Sequence, residues 1–219
     1  MFHHTHPYEP FIPKNATKLI VGTLPPPRFT SGELKPDDVN FCYGSRDGLL
    51  WPVLDKLFDL NLKYENNEAA IIQRKEFLAK RGIGICDVVE SSRRSKIDAS
   101  DLGMQKVELR DLIGILRTNV KIDTLLFTGG NSKNGPEYFF RRHLKSLEED
   151  ITLKVISNEV PRVHQFVLDG RLIKTVSLTA PSGSANRAIG SMELYKNTKT
   201  KNPEFNTIDF RILQYKGYF

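Results

Sequence analysis

Apolar residues fall in short runs broken by polar, proline- and glycine-containing stretches. Lys18–Val21 (KLIV) reads as a short buried strand that stops at Gly22. Ile122–Phe127 (IDTLLF) is the clearest buried strand, and Thr152–Ile156 and Leu172–Leu178 read as two more. Ile83–Val89 (IGICDVV) is an apolar run that holds one carboxylate, Asp87. Between these runs, apolar residues recur at helical spacing over Trp51–Leu60, Asn67–Arg81, Lys106–Thr118, Pro136–Leu147 and Thr207–Gln214. Pro52 fits a first helical turn, and Gly82 is a natural stop. Pro26–Asn40 reads as a long loop, and Thr179–Asn186 as a polar turn that opens a helix. The alternation predicts one domain over residues 1–219, a layered α/β fold with a largely parallel sheet. In such folds ligands bind beyond the carboxyl ends of the strands. The loops after Val21, Phe127 and Leu178 are therefore the ones to inspect.

Composition narrows the class. With 39% hydrophobic and 26% charged residues, the chain is an ordinary globular sequence. It has no run near the ~18 apolar residues of a membrane helix. The start, MFHHTHPYEPFIP, lacks a basic segment followed by an apolar one, so a cytoplasmic protein with an initially disordered N-terminus is expected. Two cysteines, Cys42 and Cys86, are too few for a disulfide framework or an iron–sulfur cluster, and both are expected to be reduced. The net charge of +6 favours encounter with polyanions. The basic clusters Arg93-Arg94-Ser-Lys96, Arg141-Arg142-His143 and Lys196–Lys201 each read alone as solvated faces, and His164 reads as structural.

The first loop, GTLPPPRF, begins with Gly22, which permits close approach, and continues through Thr23, Leu24 and Pro25. Its prolines fix φ and remove N–H groups, which makes a stiff wall and excludes a phosphate-binding P-loop. Downstream, NFCYGSRDGLLWPVL offers Phe41 and Tyr43 for stacking, Gly44 for close approach and Asp47 as an ionisable group. The middle loop, FTGGNSKNG, presents Asn131, whose amide offers a donor and an acceptor together. The late loop, TAPSGSANRA, offers Ser182, Gly183, Ser184, Asn186 and Arg187 to a phosphate.

Taken in order, VGTLPPP, YGSRDGLLWPVL, GIGICDVV, LLFTGGNSK and TAPSGSANRA resemble motifs of the uracil-DNA glycosylase superfamily, nearest its mismatch-specific and hypoxanthine-acting branches. The resemblance spans roughly residues 7 to 190. It implies a three-layer α/β/α sandwich around a four-stranded, mainly parallel sheet. It also implies a monomer that binds DNA with a damaged or mismatched base, flips that base out and hydrolyses its N-glycosidic bond, with no metal or cofactor. Carried over by position, Phe41 or Tyr43 stacks on the base, Asn131 reads its edge, and Ser182 and Ser184 hold flanking phosphates. The family's water-positioning Asn or Asp is replaced here by Leu24 and Pro25 in the first motif and by Gly48 in the second, so Asp47 is the expected catalytic carboxylate, with Asp87 as a fallback. Thr179 and Ala180 stand where other members carry a histidine. The alternative is a catalytically impaired binder of nucleic acid or nucleobase, and a weaker third is a small-molecule α/β enzyme.

Overall fold

The computed structural model describes all residues, 1–219. In chain order its elements are β1 (Phe2–Thr5), β2 (Lys18–Val21), α1 (Pro27–Ser31), α2 (Leu50–Phe58), α3 (Glu68–Arg81), β3 (Ile83–Ile85), β4 (Val89–Arg94), β5 (Met104–Leu109), α4 (Leu112–Thr118), β6 (Thr124–Phe127), α5 (Pro136–Ser146), β7 (Lys154–Ser157), β8 (Arg162–Leu168), β9 (Arg171–Ser177), α6 (Asn186–Ser191), α7 (Glu193–Lys201) and α8 (Thr207–Tyr215). The main sheet has six strands in the order β3-β2-β6-β9-β8-β7. The first four pair in parallel, whereas β8 and β7 extend the sheet antiparallel. A separate antiparallel sheet runs β1-β4-β5.

Side-chain alternation along the parallel strands splits the core in two. Leu19, Val21, Leu125 and Phe127 face one way, against Leu112 and Leu116 of α4 and Phe139 and Phe140 of α5. Ile20, Leu126 and Val176 face the other way, against Leu50 and Trp51 of α2, Phe77 and Leu78 of α3 and Tyr215 of α8. Buried strands lined on both faces explain why they read as continuous apolar runs. Local signals place the helix ends. Asn67 caps α3, and Gly82 ends it in the left-handed region at φ 63°. Asn206 and Asp209 form a capping box on α8.

Several expectations change here. The sheet has six strands, because β8, not foreseen, joins β9 to the edge strand β7. The expected helix Lys106–Thr118 is strand as far as Leu109, because that half pairs with β4; the helix starts only at Leu112, where the Asp111 carboxylate accepts from the Gly114 N–H. The run Ile83–Val89 divides at Asp87 between the two sheets. The N-terminus is ordered, since β1 pairs with β4 residue for residue from Phe2 to Thr5. The loop Pro26–Asn40 contains α1, closed by Gly32 at φ 76°. The basic clusters are not uniformly solvated: Arg94 and His143 are buried. No helix is long and apolar enough to cross a membrane.

The small sheet is held by a buried polar pair. His4 accepts at Nδ1 from Arg94 Nε (2.8 Å), and Arg94 Nη1 donates to the Ser100 carbonyl (2.6 Å). Burial, then the Arg94 charge and His6, push the His4 pKa down to about 4. The folded protein thus binds fewer protons than the unfolded chain between pH ~6.5 and ~4, so stability falls as pH drops through that window. The expected loss attributable to His4 is about 3 kcal/mol across the whole window. Urea unfolding at pH 7 and pH 4.5 measures it, and His4→Gln is expected to flatten the slope.

Candidate functional site

A cavity of about 200 Å³ opens beyond the carboxyl ends of the parallel strands. Its lining comes from Thr23, Leu24, Pro25 and Pro26 after β2, Asp87 after β3, Thr128 after β6, and Ala180, Pro181 and Ser182 after β9. Tyr43 and Ser45 close it on one side, and Ala99 and Asp101 on the other. The volume lies below the usual range for drug-sized ligands, so it suits one small ring system.

Backbone hydrogen bonds extend the ladder past the strand ends. Val88 N donates to the Gly22 carbonyl, Thr128 N to Val21 and Leu178 N to Phe127, each at 2.9 Å. These bonds fix where each loop departs. At the centre sits Gly22. A Cβ built there would collide with the Tyr43 hydroxyl and come within 2.7 Å of Asp87 Oδ1. The Gly22 N–H donates to that same oxygen at 3.0 Å. Only glycine admits both groups so close to its Cα.

Tyr43 adopts a left-handed backbone, φ 58°, unusual for a bulky residue and costly by roughly 1–3 kcal/mol. The surroundings impose it. A tight turn ties Val39 N to the Gly44 carbonyl (2.7 Å) and Gly44 N to Phe41 (2.9 Å), and any side chain at Gly44 would strike the Val39 carbonyl. Asp38, fully buried, organises the approach to this turn by accepting from Arg28 Nε (2.7 Å) and from the Lys35 and Arg46 N–H groups (2.8 Å each). Burial opposes its charge, but these bonds, led by Arg28, hold its pKa at about 2. The Tyr43 hydroxyl then meets Thr128 Oγ1 at 2.8 Å. Burial, with Asp87 adding to it, pushes the phenol pKa well above its ordinary value.

Two carboxyls line the cavity. Asp87 accepts from Gly22 N–H and from His6 Nε2 (2.9 Å). Asp101 accepts from the Thr23 hydroxyl (2.9 Å), and its own carbonyl accepts from Asn134 Nδ2 (2.8 Å) in the middle loop. Burial pushes the Asp101 carboxyl up to about 6, opposed by Thr23 and Arg94 and assisted by Asp87. It therefore changes charge close to neutrality.

The late loop is stapled from behind. Arg211 of α8 is fully buried and faces no carboxylate in an ion pair. It donates to the carbonyls of Ala180 (3.0 Å), Ser182 (2.8 Å) and Thr207 (3.0 Å) and to Asn186 Oδ1 (3.0 Å). The Tyr215 hydroxyl donates to the Thr179 carbonyl (2.6 Å), and Gln214 Oε1 accepts from the Thr179 N–H (2.8 Å). The bridge Gly48–Ser182 and the bond from Leu49 N to the Pro181 carbonyl (2.9 Å) join this loop to the Tyr43 segment.

The structure thus gathers Gly22, Thr23, Leu24, Pro25, Tyr43 and Ser182 at one cavity. It does not bring in the others. Phe41 lies in the core against Trp51 and Phe11, which leaves Tyr43 as the stacking candidate. Gly44 serves the turn rather than a ligand. Asp47 projects outside the cavity; its side chain is 71% exposed and 3.6 Å from Arg28. Asn131 is exposed at an open depression of about 680 Å³ beside α5, where Arg141 is engaged by Glu137. The carboxylates that line that depression, Glu149 and Asp150, are both exposed. Gly183 and Ser184 follow the lining residue Ser182 and are exposed, Arg187 is exposed further along the chain, and Asn186 is tied inward by Arg211. Asp101, His6, Asn134, Arg211 and Thr128 carry no local sequence signal of these contacts. His164 is buried, as a structural histidine should be.

No protein-family model matches the chain, and no curated protein or solved structure matches it either. The geometry therefore has to be read by its own chemistry. No group of three or more His, Cys, Asp or Glu gathers to hold a metal ion.

Gly22→Ala tests the central contact. The added methyl must displace Tyr43 or Asp87, and a stability loss of about 1–3 kcal/mol is expected. Chemical unfolding gives the loss, and near-ultraviolet circular dichroism reports the tyrosine movement.

Proposed function

We propose that the protein is a base-excising DNA glycosylase-like hydrolase that takes a deaminated base, uracil or hypoxanthine, into the cavity and cleaves its N-glycosidic bond. The observation that carries this reading is one small cavity at the strand ends that combines a stiff proline lip, a strained tyrosine and two carboxyls. Helices on both faces of a sheet with four parallel strands fit the sandwich that the sequence motifs imply. Tyr43 stacks on the flipped base, and Leu24 and Pro25 wall its edge. Asp101, protonated below about pH 6, gives a proton to the leaving base. Ser182, Ser184 and Arg187 at the mouth meet the flanking phosphates, and the +6 charge aids encounter with DNA.

A second reading, recognition without bond cleavage, is favoured by the placement of Asp47 outside the cavity and by apolar Leu24 and Pro25 at its lip. One experiment separates the two. Purified protein is incubated with oligonucleotides that hold uracil or hypoxanthine, single- and double-stranded, at two salt concentrations. Alkali-labile abasic sites and mobility shift are both scored. Base release that declines as pH rises above about 6, and that falls about a hundredfold in Asp101→Asn, is the expected result. Salt-sensitive binding with no release moves the assignment to the second reading.

A further inference from the structure

Two histidines near the N-terminus, His4 and His6, stand two residues apart, and both are buried. His6 lies directly behind Asp87. The two side chains are 2% and 6% exposed, and a carboxylate only accepts, so Nε2 carries the hydrogen of their 2.9 Å bond. The other ring nitrogen, Nδ1, sits 3.1 Å from the Tyr8 N and 2.9 Å from the Tyr8 carbonyl oxygen. When bare, it accepts from the Tyr8 N–H; when protonated, it donates to the Tyr8 carbonyl. The ring thus keeps a partner in either charge state, which removes the usual cost of burying an unpaired polar atom. The titratable and charged groups around it are Asp87, His4 on the preceding strand, the Tyr8 ring in edge contact at 5.9 Å, and Arg110, whose Nη2 donates to the same Tyr8 carbonyl (2.7 Å).

Asp87 has one oxygen held by His6 and the other by the Gly22 N–H, and it still lines the cavity. Its remaining lone pairs are therefore fixed in direction. On the base-excision reading, we propose that Asp87 takes the proton of the attacking water and that His6 is its positioning residue, holding the carboxylate in place through the Nε2 hydrogen bond. In that step the water oxygen bonds to the sugar C1′. The C1′–N bond breaks, and its electron pair leaves with the base. One water proton passes to Asp87, and Asp101 supplies the proton that the base takes up.

The test uses the whole chain and an oligonucleotide that holds uracil or hypoxanthine. The kcat and KM of base release are measured at several pH values for wild type, His6→Ala, His6→Gln and Asp87→Asn. His6→Ala removes the donor toward Asp87 and is expected to lower kcat about tenfold or more with KM unchanged, and His6→Gln, which retains a donor, is expected to recover most of that loss. Asp87→Asn is expected to lose about a hundredfold in rate at every pH. A His6→Ala kcat equal to wild type, a His6→Gln kcat no better than His6→Ala, or an Asp87→Asn rate equal to wild type overturns the proposal and leaves base excision standing. No release by wild type overturns the base-excision reading itself and this step with it. Should the His6 variants fail to fold, the magnetic-resonance signal of the His6 Nε2 hydrogen is compared in wild type and Asp87→Asn. A signal that moves when the carboxylate is removed supports the positioning bond, and an unmoved signal rejects it.

Discussion

The Tyr43 hydroxyl and the Asp87 carboxylate both press against the Cα of Gly22, and this contact sets the spacing of three loops. A methyl group at that point would push them apart. The tyrosine can reach the spot only because its backbone turns left-handed, which the 39–44 turn and the buried Asp38 enforce. The strain is thus held by hydrogen bonds at a distance from the cavity, while the cavity wall itself stays free to meet a ligand.

Around that contact, three walls of the cavity are supported by buried groups that do not line it. Arg211 supports the late loop, Asn134 the turn that bears Asp101, and His6 the Asp87 carboxylate. Arg94 plays the same part for the 98–101 segment, with His4 as its acceptor. Four of these five groups are histidine or arginine from the ends of the chain or from the small sheet. Electrostatics and packing converge here: a buried arginine whose carbonyl partners are fixed costs less than one left unpaired, and it pins several backbone segments at once.

The parallel strands were legible because burial on both faces makes them plain apolar runs, and α3 was legible because its end residues signal their role locally. Lys106–Leu109 looked helical because the helix of Leu112–Thr118 follows without a break in apolar spacing, and only pairing with β4 decides otherwise. Tyr43 and the proline lip stood out through residue type. Asp101 did not, because an aspartate in a polar stretch gains meaning only when Thr23 and burial reach it from 78 positions away. His6 was hidden for the same reason: its partner lies 81 residues downstream. Asp47 drew attention by proximity in sequence to the Trp51 motif, yet the chain turns it to solvent.

The latch between Arg211 and the late loop has a consequence for the order in which the site matures. The cavity needs His6 and Asp87 from the first half of the chain and cannot be closed until Arg211 and Tyr215 have docked. Its contacts are long-range, so the loop-closure entropy must be overcome before any of them adds stability. On a ribosome that delivers residues from the N-terminus onward, the small sheet and most of the large one can assemble while the cavity is still open. The late-loop wall of the cavity therefore lacks its anchor until α8, the last helix of the chain, is in place.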